Sequence, residues 1–169
     1  EIISHKAANN LISAQNSELD VPLAEGENQT QALMYQSGTS MSAPIVSGAA
    51  ALLLEVNPNL TPGMVRMLLQ YTAQPIAGAD MLEQGAGQLN IEGAVRLAGS
   101  LRKNVNFNSL GRGAQLLPSG TALPAAFSDI AGNGFAWSQL VTANHNFLTG
   151  TDLASKFQLT YKKGSVMQQ

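Results

Sequence analysis

Cysteine is absent from the 169 residues, which excludes a disulfide framework, a thiolate nucleophile and a thiolate metal site. Charge is scarce as well. Only 12% of residues are Asp, Glu, Lys or Arg, about half the usual quarter, and basic side chains number 9 against 11 acidic ones. Such a surface suits neither nucleic acid nor an anionic membrane, so neither is expected as a partner. A long hydrophobic run is also missing. Residues 28–54 carry no charge, but their continuously apolar part is 45–54, interrupted by Ser47 and Gly48. That is well short of the roughly 20 residues of a spanning helix and reads as a buried helix. Internal repeats and low-complexity tracts are lacking too. What remains is a chain that is 44% hydrophobic, enough to build a core and therefore not a disordered segment.

The two signs of charge are unevenly spread. Residues 1–100 hold nine acids and three bases, whereas residues 101–169 hold two acids and six bases. A shift of this kind marks a junction between structural units, so the expected division is 1–100 and 101–169. The chain opens on Glu1 and the strand-like Ile2-Ile3, with no basic n-region or small-residue cleavage site ahead of it. It reads as cut at its N-terminus, either a mature product or a fragment.

Local signals give the following order. Residues 1–13 predict two short strands around a turn, ending on Leu11-Ile12-Ser13, and residues 14–37 an irregular surface loop. Gly38-Thr39-Ser40-Met41-Ser42-Ala43-Pro44 then runs into an apolar helix ended by Asn57-Pro58-Asn59. Ser40 suits its N-cap or first turn, and Pro44 is tolerated only near its start. Being apolar nearly all round, this helix is expected to be buried on most sides. Thr61-Pro62 starts a second helix with an amphipathic stripe of Met64, Val65, Leu68, Leu69 and Thr72, stopped by Gln74-Pro75. Gly85-Ala86-Gly87 marks a tight backbone passage, and Asn90 caps a short helix through Ala98, closed by Gly99-Ser100. Beyond residue 100, Gly111, Gly113, Pro118-Ser119-Gly120 and Gly132-Asn133-Gly134 are turn punctuation. Residues 156–162 alternate as a half-buried strand with a turn at Lys163-Gly164, so this part reads as a β-rich extension.

Residues 38–44 carry the chemistry. A serine hydroxyl is a poor nucleophile until a base takes its proton and the developing oxyanion is stabilised. The first turn of a helix suits such a serine, because free backbone N–H groups and the positive dipole end favour nearby negative charge. Gly38 permits close approach of substrate and backbone, and Pro44 fixes the turn. The physics alone supports an exposed serine at a helix start, whether as a nucleophile or as an ordinary cap.

The string itself resembles the nucleophile motif of the subtilisin-like serine proteases, Gly-Thr-Ser-Met-(Ala/Ser)-x-Pro followed by a small-residue helix. The likeness continues in order through Asn57-Pro58-Asn59-Leu60-Thr61-Pro62 with its helix and through Gly85-Ala86-Gly87-Gln88-Leu89-Asn90-Ile91-Glu92-Gly93-Ala94, covering roughly residues 1–98. The resemblance implies an α/β fold: the C-terminal part of a three-layer parallel-sheet domain, here followed by the β-rich extension. It implies a serine endopeptidase with a polypeptide substrate, Ser40 as nucleophile, Gly38 and Thr39 as substrate-binding residues, and no cofactor. Family members are mostly secreted, so a secreted or extracytoplasmic location is expected.

The family's other catalytic groups lie upstream of the serine, the Asp in Asp-(Ser/Thr)-Gly and the His in His-Gly-Thr. Neither motif occurs in the 39 residues before Ser40. His5, followed by Lys6-Ala7, and His145, downstream of Ser40, both read as surface or structural residues. Asn9, Asn10 and Asn28 lie too close to Ser40 to match the oxyanion-hole Asn. The resemblance therefore implies that Asp, His and Asn come from outside this chain, from the N-terminal part of the same domain. The chain alone is expected to be inactive, since triad members act as a unit. The alternative is a non-catalytic remnant acting as a binding or scaffold protein.

Other motifs are weaker. The acid-rich residues 18–27 could in principle hold calcium through carboxylates, but their spacing matches no calcium loop and a solvated loop is expected. Asn28-Gln29-Thr30 and Asn59-Leu60-Thr61 fit the glycosylation sequon, and Ser100-Leu101-Arg102-Lys103 reads as a basic turn after a helix. Trp137, Phe135 and Phe127 are read as core of the extension, with a binding face as the other option.

Overall fold

Side chains that satisfy the open backbone N–H groups of short helices fix where several of the elements start. The computed structural model describes residues 2–23, 32–111, 113–143 and 146–148. Two compact units, residues 1–48 and 49–169, divide inside one helix.

In the first unit β1 (Ile2–His5) pairs antiparallel with β2 (Leu33–Gln36), Ile2 opposite Gln36 and His5 opposite Leu33. Between them lies α1 (Leu11–Gln15), where a second strand was expected. Asn10 is the physical reason. Its side-chain oxygen accepts the Ser13 N–H at 3.1 Å and caps the helix, while Leu11 and Ile12 are 67% and 52% exposed, so no burial selects a strand. A 3₁₀ turn over Ser17–Leu19 follows. β2 itself lies in the stretch read as irregular loop. Ala32 and Met34, two residues apart and so on one strand face, are both buried and anchor it.

Lys6 and Asp20 form an ion pair at 2.8 Å, and Ser13 Oγ donates to Asp20 Oδ1 at 2.7 Å. The hydrogen bond from Lys6, then that from Ser13, holds the Asp20 carboxyl below its ordinary value. A folded-state value below the unfolded one gives stabilisation that is complete above the unfolded value. It is lost as pH falls through the folded value, on the acid side of about pH 4. In a carboxyl NMR titration Asp20 is expected to protonate at lower pH in the wild type than in Lys6→Met or Ser13→Ala. Identical midpoints would remove these contacts as the cause.

The helix α2 (Thr39–Val56) contains the division between the units. Only Ala49 and Leu53, one turn apart, are buried, while Ile45, Val46, Leu52 and Leu54 are 42–49% exposed. The expected burial on most sides is corrected here: an all-round apolar helix was read as surrounded, yet among the described residues the chain covers one of its faces. By length and hydropathy this helix would also suffice to cross a membrane, a property it shares with core helices of water-soluble proteins.

In the second unit α3 (Pro62–Tyr71) starts as expected, with Pro62 first and the Thr61 side chain accepting the Met64 N–H at 3.3 Å. Thr61→Ala is expected to cost about 1 kcal/mol, read as a lower denaturation midpoint with an unchanged slope. The four-residue α4 (Met81–Gln84) is held by a capping box of Asp80 and Glu83. It sits in a loop closed by Gln74 and Gln88, which exchange two backbone hydrogen bonds of 2.8 Å. The helix α5 (Ile91–Ser100) has the expected cap, Asn90 accepting the Gly93 N–H at 3.0 Å.

Further on, β3 (Phe127–Ile130) pairs with β4 (Asn133–Ala136), and β5 (Val141–Ala143) with β6 (Asn146–Leu148). Ala131 (φ 53°) and Gly132 (φ 82°) make the two-residue turn of the first hairpin, as a type I′ turn requires. Asn133 and Gly134 consequently lie in β4, a correction to their reading as turn residues. Every described sheet is two-stranded and antiparallel. The alternating residues 156–162 and the turn at Lys163-Gly164 lie outside the described residues.

The core of this unit draws on both sides of residue 100: Leu53, Leu68 and Leu97 share it with Phe107, Leu117 and Trp137. Trp137 is 2% exposed, meets Tyr71 edge-on at 6.3 Å and lies 4.9 Å beneath the Arg96 guanidinium. It is a core residue, whereas Phe127 is 48% exposed.

Candidate active site

The path from β2 into α2 builds the site. After Gln36 the chain turns through Ser37 and Gly38, whose φ of 142° is one that glycine adopts without strain. The Gly38 carbonyl then accepts the N–H groups of both Met41 and Ser42 at 3.1 Å, which starts the helix. The N–H groups of Thr39 and Ser40 precede these first bonds and stay open at the helix end, where the peptide dipoles sum to positive potential. Ser40 is thus a first-turn residue, one of the two positions expected for it. Pro44, in the second turn, has no N–H to give the Ser40 carbonyl.

Three serines on this helix differ in what their hydroxyls do. Ser42 Oγ donates to the Gly38 carbonyl at 3.2 Å and Ser47 Oγ to the Ala43 carbonyl at 3.0 Å. Both are engaged with their own helix. Ser40 is exposed, and among the described residues its hydroxyl has no hydrogen-bond partner. Gly38 and Thr39 are exposed beside it. What is assembled is an open hydroxyl next to two outward N–H groups at a positive helix end, suited to stabilising an anion that forms on an atom bonded to that hydroxyl.

Among the described residues no base is brought to it. His5 pairs with Leu33, at the far end of the ladder from Gln36, about 10 Å of strand away from where the chain leaves towards Ser40. His145 lies outside the described residues. Among the described residues no three His, Asp or Glu side chains gather as a metal site. The acid-rich residues 18–27 are described only to 23, and Asp20 among them is committed to Lys6 and Ser13. Asn28-Gln29-Thr30 lies outside the described residues, and Asn59 donates its side-chain amide to the Lys103 carbonyl.

With this geometry in place, comparison with known proteins decides the family. The subtilase family model matches residues 4–115, about two thirds of the chain. The chain belongs to the subtilase family. Among related proteins, the serine protease AprX of Bacillus subtilis (strain 168) is 46% identical over 59 residues, 35% of this chain and 13% of that protein. An extracellular protease of Xanthomonas campestris is 39% identical over 90 residues, covering 52% of this chain and 16% of its relative. Subtilisin DY of Bacillus licheniformis is 42% identical over 60 residues, 36% of this chain and 21% of its own length. The matched part is thus between 13% and 21% of each of these relatives. Subtilase membership implies an α/β fold and a serine-type peptidase family, and the described helices with small antiparallel sheets are this chain's part of it.

One buried polar group escaped sequence reading. Ser128 is 2% exposed and accepts hydrogen bonds from Trp137 Nε1 at 2.8 Å and Asn90 Nδ2 at 3.0 Å. The available signal was Trp137, because a buried indole N–H requires an acceptor.

Proposed function

We propose that this chain is the nucleophile-bearing, C-terminal portion of a subtilisin-like serine endopeptidase domain. Ser40 Oγ attacks the carbonyl carbon of a substrate peptide bond and passes its proton to a histidine outside this chain. The Ser40 N–H and an asparagine, also outside it, receive the oxyanion. Collapse of the tetrahedral intermediate expels the amine, which takes the proton from the histidine, and leaves an acyl-enzyme on Ser40 that water hydrolyses. Gly38 and Thr39 border the approach of the substrate.

In this reading the N-terminal part of the same domain supplies Asp, His and Asn, completes a three-layer parallel sheet and covers the exposed apolar faces of α2. Residues 1–169 alone are inactive, and the complete enzyme is secreted or extracytoplasmic and needs no cofactor. Residues 1–100 belong to the peptidase portion and residues 101–169 form a β-rich extension. The observation that carries the proposal is Ser40 itself: exposed, with its hydroxyl unengaged while Ser42 and Ser47 are tied down, and inside the family match. The test is labelling of the full-length protein by a serine-reactive fluorophosphonate. Labelling is expected in the wild type and lost in Ser40→Ala; equal labelling of both would sink the assignment.

A further inference from the structure

We infer that residues 126–142 form an intramolecular strap that closes the core of the second unit, so that the stable structure extends beyond residue 115, where the family match ends. This inference does not depend on the role of Ser40.

The strap grips two helices at separate places. On the side of α3, Ser138 N–H donates to the Ala73 carbonyl at 2.8 Å and Gln139 N–H to the Tyr71 carbonyl at 2.9 Å. Next to them, the Gln70 amide and Thr142 bond twice, Gln70 Nε2 to Thr142 Oγ1 at 2.8 Å and Thr142 N–H to Gln70 Oε1 at 3.0 Å. On the side of α5, Ser128 Oγ is a single point where Trp137 and Asn90 donate and from which Glu92 accepts. Asn90 Nδ2 also reaches the Thr72 carbonyl at 2.9 Å, so this knot joins the end of α3 to the start of α5.

Trp137 is the apolar centre of the strap, buried among the core residues of both helices. Gln139 holds a φ of 54°, a left-handed conformation that is unfavourable for a non-glycine residue. Strain of this kind persists where surrounding contacts over-determine it, and here the two neighbouring N–H bonds to Tyr71 and Ala73 do so. The strap reaches its seat through residues 118–123, which are exposed and form neither helix nor strand. A linker of that kind adds reach without adding contacts, so docking rests on the strap's own hydrogen bonds and on Trp137.

The test places a specific protease site in the linker, between Ser119 and Thr121, and cleaves the folded full chain. Trp137 is the chain's single tryptophan and reports the strap's seat directly. After cleavage the two pieces are expected to elute together under native conditions with blue-shifted Trp137 emission. Separation of the pieces, or a red shift on cleavage, would overturn the inference. As a second variant, Ser128→Ala in the uncut chain is expected to lower the thermal midpoint by several degrees, because it strands the indole and Asn90 donors. An unchanged midpoint would show that the Ser128 knot holds nothing and would likewise overturn it.

Discussion

Replacing Ser40 by alanine in the full-length protein is expected to lower peptide hydrolysis by about 10⁶-fold, the magnitude known for a subtilisin that loses its nucleophile. The size follows from how such a site works. Base, nucleophile and oxyanion donors act on one reacting carbon, so removing the attacking oxygen removes the whole covalent route and leaves only binding and the oxyanion donors. Two comparisons make the result specific. Ser42→Ala is expected to leave activity close to wild type, because its hydroxyl is already spent on the Gly38 carbonyl at 3.2 Å. Stability of Ser40→Ala should stay within about 0.5 kcal/mol of wild type, since Ser40 is exposed. A loss of activity under about tenfold would place the nucleophile elsewhere. Active-site titration together with kcat measures the effect without confusing it with the amount of folded protein.

The parts of this structure that were legible in the sequence are those specified by neighbours three or four residues away. Thr61-Pro62 and Asn90 announced α3 and α5, because a cap is a local hydrogen bond between a side chain and the following turn. Residues 38–44 offered Ser40 as an N-cap or a first-turn residue, and the Gly38 carbonyl, by accepting from Met41 and Ser42, makes it the latter. The elements that were missed depend on distant or weak partners. β2 exists because β1 lies some 30 residues earlier and because Ala32 and Met34 are buried, neither of which its polar flanks reveal. α1 turned on one asparagine cap set against a Leu-Ile pair that favours a strand. The exposure of α2 was illegible in principle. Composition states how apolar a helix is, and only the fold states which of its faces the chain can cover. Residues 1–39 contain neither Asp-(Ser/Thr)-Gly nor His-Gly-Thr, which is why the proposal draws the other catalytic groups from outside this chain.

Gly87→Ala is expected to destabilise the second unit by about 2–6 kcal/mol, through two effects acting at one atom. Gly87 has a φ of 118°, far from the left-handed well near 57° that other residues occasionally occupy. Forcing alanine there costs about 1–3 kcal/mol. A β-carbon would in addition lie 2.3 Å from the Gln74 carbonyl oxygen and 2.8 Å from its carbon, both backbone atoms. A flexible side chain could move aside, but Gln74 is fixed by exchanging two 2.8 Å bonds with Gln88, and those bonds are what would have to yield. Losing them removes about 0.5–1.5 kcal/mol each and opens the loop that carries α4. Gly85, two residues earlier, separates the two causes. Its φ of 60° comes with a ψ of −120°, a conformation side-chain-bearing residues rarely adopt, but a β-carbon there meets nothing within 4 Å, so Gly85→Ala carries only the conformational cost of about 1–3 kcal/mol. Urea unfolding followed by Trp137 emission measures both variants on the same unit. A Gly87→Ala midpoint no lower than that of Gly85→Ala would mean that the Gln74–Gln88 closure is not the constraint that makes glycine obligatory at position 87.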